Sequence, residues 1–454
     1  MPLPEWPGTP TFASGQVMSA QAHLNRLSRA VRHLLGMYQS PRTAFVGTRK
    51  VGLTSSYATW WTGAIRHKAN TLKLVWRQYY ETVRVRVKYG STTVYESDWI
   101  TAVGEEQIEE TADIGGAGLT DNALYTVTVE IRRQTGACEE CWFWLLDLAE
   151  TESLSLPTLP VCNDEDVLTA AQWNALSQYA EALHRAGSGP QAGYPAVRSK
   201  LTTVYEMVRG GIRHVSNSLV YQVWRKKNNP GYNFELGIEV DGTRLITLDD
   251  SSPPNYTLEN SGKPFPLAEL YYPYTGTLDL SSLGLTAGQV YRVHVRGDDP
   301  DSVYEHDRGL VDYLYEIPDS SSPSGWTALP EWTHGDYVRG SAGTPRVKAI
   351  RDDLAWLGAR MALYNPACRH WYAPNDEFPL GFWFVRRGRY LHYYSESEKS
   401  PRLRYYADGW QEVSLPAESS DAWRVYDLEQ LGLLTVGRRY LVQGCEYAIE
   451  DFDP

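Results

Sequence analysis

The chain has 454 residues, 42% hydrophobic and 22% charged, with a formal net charge of −12. That balance belongs to folded globular chains and excludes disordered, collagen-like and small disulfide-scaffold classes. At roughly 100–200 residues per domain the length predicts about three domains, and the acidic balance argues against nucleic acid as a partner.

The opening segment, MPLPEWPGTP, has neither the basic nor the apolar region of a signal peptide, so synthesis in a cytoplasm is expected. No run approaches the ~20 apolar residues of a membrane span, so no membrane partner is expected. A first amphipathic helix is predicted from about Ser19 to Leu35, with Leu24, Leu27, Val31 and Leu34 on one face and Gly36 closing it. GAIRHKANTL follows at 63–72, then an alternating stretch from Val83 to Val87 with a turn at Gly90. ADIGGAGLTDNALYTVTVEI lies at 112–131, and the apolar run CWFWLL at 141–146 reads as a buried strand. Cys138 and Cys141 form a C-x2-C with no second pair to complete a tetrahedral site, so no metal or cofactor is expected.

The same order then recurs. A second helix starts at Thr169, which makes a capping box with Gln172, and carries Trp173, Leu176 and Leu183 on its face. GGIRHVSNSL at 210–219 repeats the earlier ten residues with six identities. FELGIEVDGTRLITL reads as a hairpin on Asp241-Gly242, and LDLSSLGLTAGQVYRVHV closes the unit at 278–295. The acidic loop DDPDSVYEHD at 298–307 lacks the glycine and terminal Glu of a calcium loop. A third helix is predicted from Thr344, with Pro345 at its first position, a stripe of Val347, Ile350, Leu354, Leu357 and Met361, and a stop at Asn365-Pro366. FVRRGRYL (384–391) stands where the IRH motif belongs; a hairpin on Asp408-Gly409 and the closure YDLEQLGLLTVGRRYLVQG (426–444) follow.

Each closure has an Asp, Gly-Leu five residues on, and a Tyr opening the next strand. The predicted fold is therefore mainly β with short helices: three tandem β-sandwich (jelly-roll-like) domains, each preceded by an amphipathic helix. The Pro- and Ser-rich linkers place them at 1–155, 156–325 and 326–454. Each helix is expected to pack on its own sandwich or to dock a neighbouring subunit.

Arg66, His67 and Asn70 recur as Arg213, His214 and Asn217. His can move protons and Arg can clamp an anion. Yet no nucleophile or paired carboxylate travels with the motif, and the third unit lacks both His and Asn. The favoured reading is structural: a strand with alternate packing, and Arg and Asn fixing a nearby loop. No G-x-S-x-G, H-E-x-x-H or phosphate-loop pattern occurs. Tyr (31) and Trp (16) far outnumber Phe (9), a usage suited to interfaces and sugar-binding faces. Trp60, Trp61, Trp99, Trp371 and Trp410 are the candidate interface or sugar-stacking aromatics.

MSAQAHLNRL (18–27) and LTAAQWNAL (168–176) resemble the T-A-x-x-L-N-x-L helix near the N-termini of many tailed-phage virion proteins. The closure at 278–295 resembles strands of the β-sandwich domains in phage minor tail and capsid-decorating proteins. The resemblance covers 16–36 and 167–187 well and the third helix poorly, and no catalytic residue comes with it. It implies a non-enzymatic role on a virus particle, released by lysis, with other capsid or tail subunits or further copies of the chain as partners. The alternatives are a carbohydrate-binding adhesin or receptor-binding tail protein that meets a cell-surface glycan, and a glycoside hydrolase, whose carboxylates would meet only in space.

Overall fold

The computed structural model describes residues 25–38, 42–43, 45–46, 49–136, 138–152, 156, 158–159, 169–187, 191–192, 194–195, 204–226, 235–249, 251–252, 271–298, 309–316, 340–358, 363–366, 382–385, 388–395, 399–406, 410–416, 421–431, 439–445 and 447–451. These are mostly strands, with three α-helices among the described residues.

Helix α1 (Arg26–Tyr38) is followed by β1 (Arg42–Thr43), β2 (Phe45–Val46), β3 (Arg49–Leu53), β4 (Ala58–Arg66) and β5 (Thr71–Tyr79). Then come β6 (Thr82–Tyr89), β7 (Thr92–Glu96), β8 (Ile100–Thr101), β9 (Glu105–Asp113), β10 (Leu124–Arg133) and β11 (Cys138–Glu152). Helix α2 (Ala170–Gly187) precedes β12 (Gln191–Ala192), β13 (Tyr194–Pro195), β14 (Val204–Arg213), β15 (Ser218–Lys226) and β16 (Glu235–Val240). These lead to β17 (Thr243–Leu248), β18 (Tyr271–Asp279), β19 (Val290–Asp298) and β20 (Gly309–Glu316). Helix α3 (Gly340–Gly358) precedes β21 (Leu363–Pro366), β22 (Phe382–Val385), β23 (Tyr390–Ser395) and β24 (Arg402–Tyr406). The last strands are β25 (Trp410–Ser414), β26 (Ala422–Asp427), β27 (Arg439–Gln443) and β28 (Tyr447–Asp451).

Among the described residues the strands form six antiparallel sheets that group in pairs. The first pair has the orders β4-β10-β6-β7 and β11-β5-β9. The second has β14-β19-β16-β17 and β20-β15-β18, and the third has β22-β27-β24-β25 and β28-β23-β26. The order is the same each time, strand for strand. β6 shows why: TVRVRVKY alternates, so Val83, Val85 and Val87 are buried while the Arg and Lys between them stay half-exposed. The apolar faces of each pair enclose one cluster. Trp61, Trp76, Val129 and Phe143 lie in the first, Leu219, Leu236 and Val293 in the second, and Tyr393, Leu403 and Val442 in the third. Burial of such a side chain is worth about 1.5–3 kcal/mol.

Two of the expected turns are present. Gly90 has φ +57°, and Asp241 and Gly242 have φ +48° and +84°, the left-handed pair of a two-residue hairpin. Thr169 and Gln172 form the capping box, with Thr169 N donating to Oε1 of Gln172 (2.9 Å) and Gln172 N donating to Oγ1 of Thr169 (3.2 Å). Asp408-Gly409, the acidic loop at 299–307, and Leu24 and Met361 fall outside the described residues. Other helix expectations need correction. α1 runs three residues past Leu35, so Gly36 sits inside its last turn. α3 begins at Gly340 and ends at Gly358, and Asn365-Pro366 belongs to strand β21 rather than to a helix stop.

Two larger differences follow. The helices do not cover separate sheets; they pack on one another. Leu27, Val31 and Leu34 of α1, Trp173, Leu176 and Leu183 of α2, and Ile350, Leu354 and Leu357 of α3 form one buried cluster. A single apolar stripe needs a partner, and three such stripes close on each other. The first strands after each helix also leave for another sheet pair. β1 adds to β20 and β2 to β14, both in the second pair. β12 adds to β28 and β13 to β22, both in the third. β21 adds to β11 in the first. The exchange runs first to second, second to third, third to first, and so closes a ring.

Candidate functional site

The most chemically suggestive residues of the sequence, the two IRH motifs, occupy equivalent places at the ends of β4 and β14. His67 and His214 are each 5% exposed. Nδ1 of His67 donates to Oε1 of Glu150 (2.9 Å), and Nδ1 of His214 donates to Oε1 of Glu316 (2.9 Å). The second carboxylate oxygen accepts two backbone amides. For Glu150 these are Lys68 N (2.7 Å) and Ala69 N (3.1 Å); for Glu316 they are Val215 N (2.5 Å) and Ser216 N (2.8 Å). Both glutamates are fully buried. A carboxylate acceptor places the imidazole proton on Nδ1. Tyr89 OH also donates to Oε1 of Glu150 (3.0 Å), and burial, then that carboxylate, hold the phenol well above its ordinary pKa.

The third copy keeps the frame without the histidine. Glu450 is 2% exposed and accepts Gly388 N at 2.6 Å, as Glu150 accepts Ala69 N. The three glutamates lie at or near the ends of equivalent strands, in LAE (148–150), LYE (314–316) and AIE (448–450). Sequence reasoning missed them, although a Glu at or near the end of three last strands was there to be read.

The arginine holds the turn beyond. Nη1 of Arg66 donates to Asn122 O (2.6 Å), and Nη1 of Arg213 donates to Gly288 O (2.5 Å). Asn122 and Gly288 both have positive φ. The other nitrogen crosses to a different sheet pair. Nη2 of Arg66 lies 2.8 Å from Nε2 of His392 in the third, and Nη2 of Arg213 donates to Oδ2 of Asp147 in the first (3.0 Å). Asn70 and Asn217 are exposed, and they act through their backbone: Asn70 O accepts Ile114 N (2.7 Å) and Asn217 O accepts Leu280 N (2.8 Å). Arg389 O accepts Leu428 N (2.8 Å) in the third copy. Next to each, the closure Asp leads into a short 3-10 turn and bonds the amide two residues on: Oδ1 of Asp113 accepts Gly115 N, that of Asp279 accepts Ser281 N, and that of Asp427 accepts Glu429 N, at 2.8–2.9 Å.

The candidate aromatics divide. Trp60 (4% exposed) and Trp61 (1%) are core residues, because β4 turns both into the first cluster, so neither presents a ring to a sugar. Trp99 is half-buried, with guanidiniums of Arg84 and Arg132 at 4.9 and 5.0 Å from its centroid. Trp371 and the side chain of Trp410 lie outside the described residues, as do the side chains of Cys138 and Cys141. Among the described residues no three His, Cys, Asp or Glu side chains converge as a metal site, and no helix is long and apolar enough to cross a membrane.

No family model matches the chain, and no curated protein matches it in sequence. Solved structures offer only distant likeness. An anti-sigma factor domain-containing protein is 13% identical, covering 58% of this chain and 82% of its own, at TM-score 0.15. The tandem CBM22 domains of Paenibacillus barcinonensis Xyn10C are 8% identical, covering 61% and 96%, at TM-score 0.15. A structure of infectious bursal disease virus, Gx strain, is 9% identical, covering 62% and 73%, at TM-score 0.18. Values this low carry no argument about fold or function.

Proposed function

We propose that this chain is a non-enzymatic structural protein of a tailed-phage particle. In this reading three tandem helix-plus-β-sandwich modules, residues 1–155, 156–325 and 326–454, stand in for a trimer on the capsid surface or in the tail. The observation that carries it is the closed strand exchange, first to second to third to first. Head-to-tail contacts between like units make a ring when the rotation closes. A ring of three like modules matches a three-fold position in a shell of identical subunits. Three linked contacts there gain avidity with little binding energy at each. The bonding of the repeated motifs adds support, because His67, His214 and their glutamates hold loops within the fold.

The test is to mix the purified chain with purified empty shells and tails, sediment the mixture and image the pellet. One chain at each three-fold position is the expected result. A chain that never sediments with particles, or that sits with its modules in unrelated environments, overturns the reading.

A further inference from the structure

The outward face of the first sheet pair carries a stack of cations and rings. β6 turns Arg84, Arg86 and Lys88 away from the core, and Arg132 of β10 stands beside them. The Arg86 guanidinium lies 3.9 Å from the Tyr57 ring centroid. Arg132 lies 4.7 Å from the same ring and 5.0 Å from Trp99, and Arg84 lies 4.9 Å from Trp99. Cation and ring therefore alternate: Arg86, Tyr57, Arg132, Trp99, Arg84. Stacking engages the faces of the guanidiniums and buries Nε of Arg84 and Arg132, so it is the terminal Nη groups that are left for oxygen acceptors.

Two carboxylates answer part of this charge. Nη1 of Arg84 donates to Glu96 (3.1 Å), Nε of Arg86 donates to Glu130 (2.7 Å), and Lys88 Nζ lies 3.7 Å from the other oxygen of Glu130. Arg132, at the centre of the stack, has no carboxylate partner among the described residues. Four cations thus face two carboxylates on a chain whose net charge is −12.

The second sheet pair, built on the same strand order, inverts the pattern. Val87 opposite Val129 corresponds to Ile238 opposite Val295. In that register Arg84, Arg86 and Lys88 become Glu235, Gly237 and Glu239, and Glu130 and Arg132 become Arg296 and Asp298. There Glu239 takes both Arg244 (3.2 Å) and Arg296 (3.4 Å). A shared fold does not require opposite charges on equivalent faces.

We infer that the face formed by Tyr57, Arg84, Arg86, Trp99 and Arg132 is a docking surface for a carboxylate-rich segment of a separate protein, whose acid groups meet the terminal Nη groups of Arg132. The inference stands apart from the particle reading, since a ring acting alone would carry the same face. The probe is a labelled poly-glutamate peptide, titrated against the full chain at low and at moderate salt. Binding that weakens with salt is expected. Arg132→Gln should weaken it about tenfold, the loss of one charge-assisted hydrogen bond, and Arg132→Lys should restore part of it. Arg296→Gln on the second pair should leave it unchanged. Circular dichroism and the melting temperature check that each variant is folded. No binding, or equal binding by Arg132→Gln, overturns the inference. Binding of a sulfated heparin fragment without binding of poly-glutamate overturns it in favour of an anionic glycan. Salt-sensitive self-association lost in Arg132→Gln overturns it in favour of a second copy of the chain.

Discussion

At Glu316 a buried carboxylate holds one imidazole and two backbone amides of the loop 214–216. Removing it strands those donors away from water. Glu316→Ala should cost about 3–5 kcal/mol in urea unfolding, with Glu316→Gln intermediate because one acceptor survives. A cost under about 1 kcal/mol would mean that the pairs are incidental. Asp353 makes the opposite case. It is 5% exposed in α3, and burial, then the charge of Asp352, push its carboxyl up to about 7 from an ordinary 3.8. Between those values the folded chain keeps a proton that the unfolded chain has released, so stability falls as pH rises through that window. Asp353→Asn should therefore raise the melting temperature at pH 8 and gain much less, or nothing, at pH 4. Melting curves at the two pH values decide it, and an equal gain at both would remove the titration from the account.

Between sheets, β14 packs closely on β11, and a glycine makes room for it. A methyl at Gly211 would run into the carbonyl of Leu146 and crowd Val290. Gly211→Ala should lower stability by about 2 kcal/mol or more, whereas Gly116→Ala, whose added carbon meets nothing within 4 Å, should stay within ~0.5 kcal/mol. Thermal or urea melts of the two variants test this directly, and equal melts would show that the β14–β11 contact yields freely. Leu354→Ala in the helix cluster should cost about 2–5 kcal/mol. Much of this scale was legible in the sequence. The capping box at Thr169, the Asp241-Gly242 turn and the order helix, strand, hairpin, closure are local patterns. The exchanged strands were not, because a two-residue pairing such as β12 or β13 is too short to show any period. The helix cluster was hidden for another reason: an apolar stripe announces that a partner exists and says nothing of which one. The buried glutamates were masked by other acids in the same strands, Asp147 and Glu152 around Glu150, Asp312 before Glu316 and Asp451 after Glu450, where a solvated acid is the ordinary expectation.

Across the whole molecule, three sheet pairs are tied at every junction. Arg66 reaches His392 between the first and third, Arg213 reaches Asp147 between the second and first, and Val220 and Tyr315 join the cluster of the third. The helix cluster joins α1, α2 and α3. A string of independent modules would melt piecewise and fall apart when cut. A closed ring should do neither, because each strand donated after a helix is held by a neighbour's sheet and each helix by the other two. The chain should therefore unfold in one transition, with calorimetric and van't Hoff enthalpies equal. The sharper test is a protease site introduced between β11 and α2. After complete cleavage the two fragments should still co-elute in size-exclusion chromatography. They are held by the pairing of β1 with β20, by β21 on β11, and by the packing of α1 against α2 and α3. The cleaved chain should melt lower than the intact one, since the cut returns chain entropy to the unfolded state. Fragments that separate on cleavage under native conditions would show that the junctions do not hold the ring, and that its closure depends on the covalent link alone.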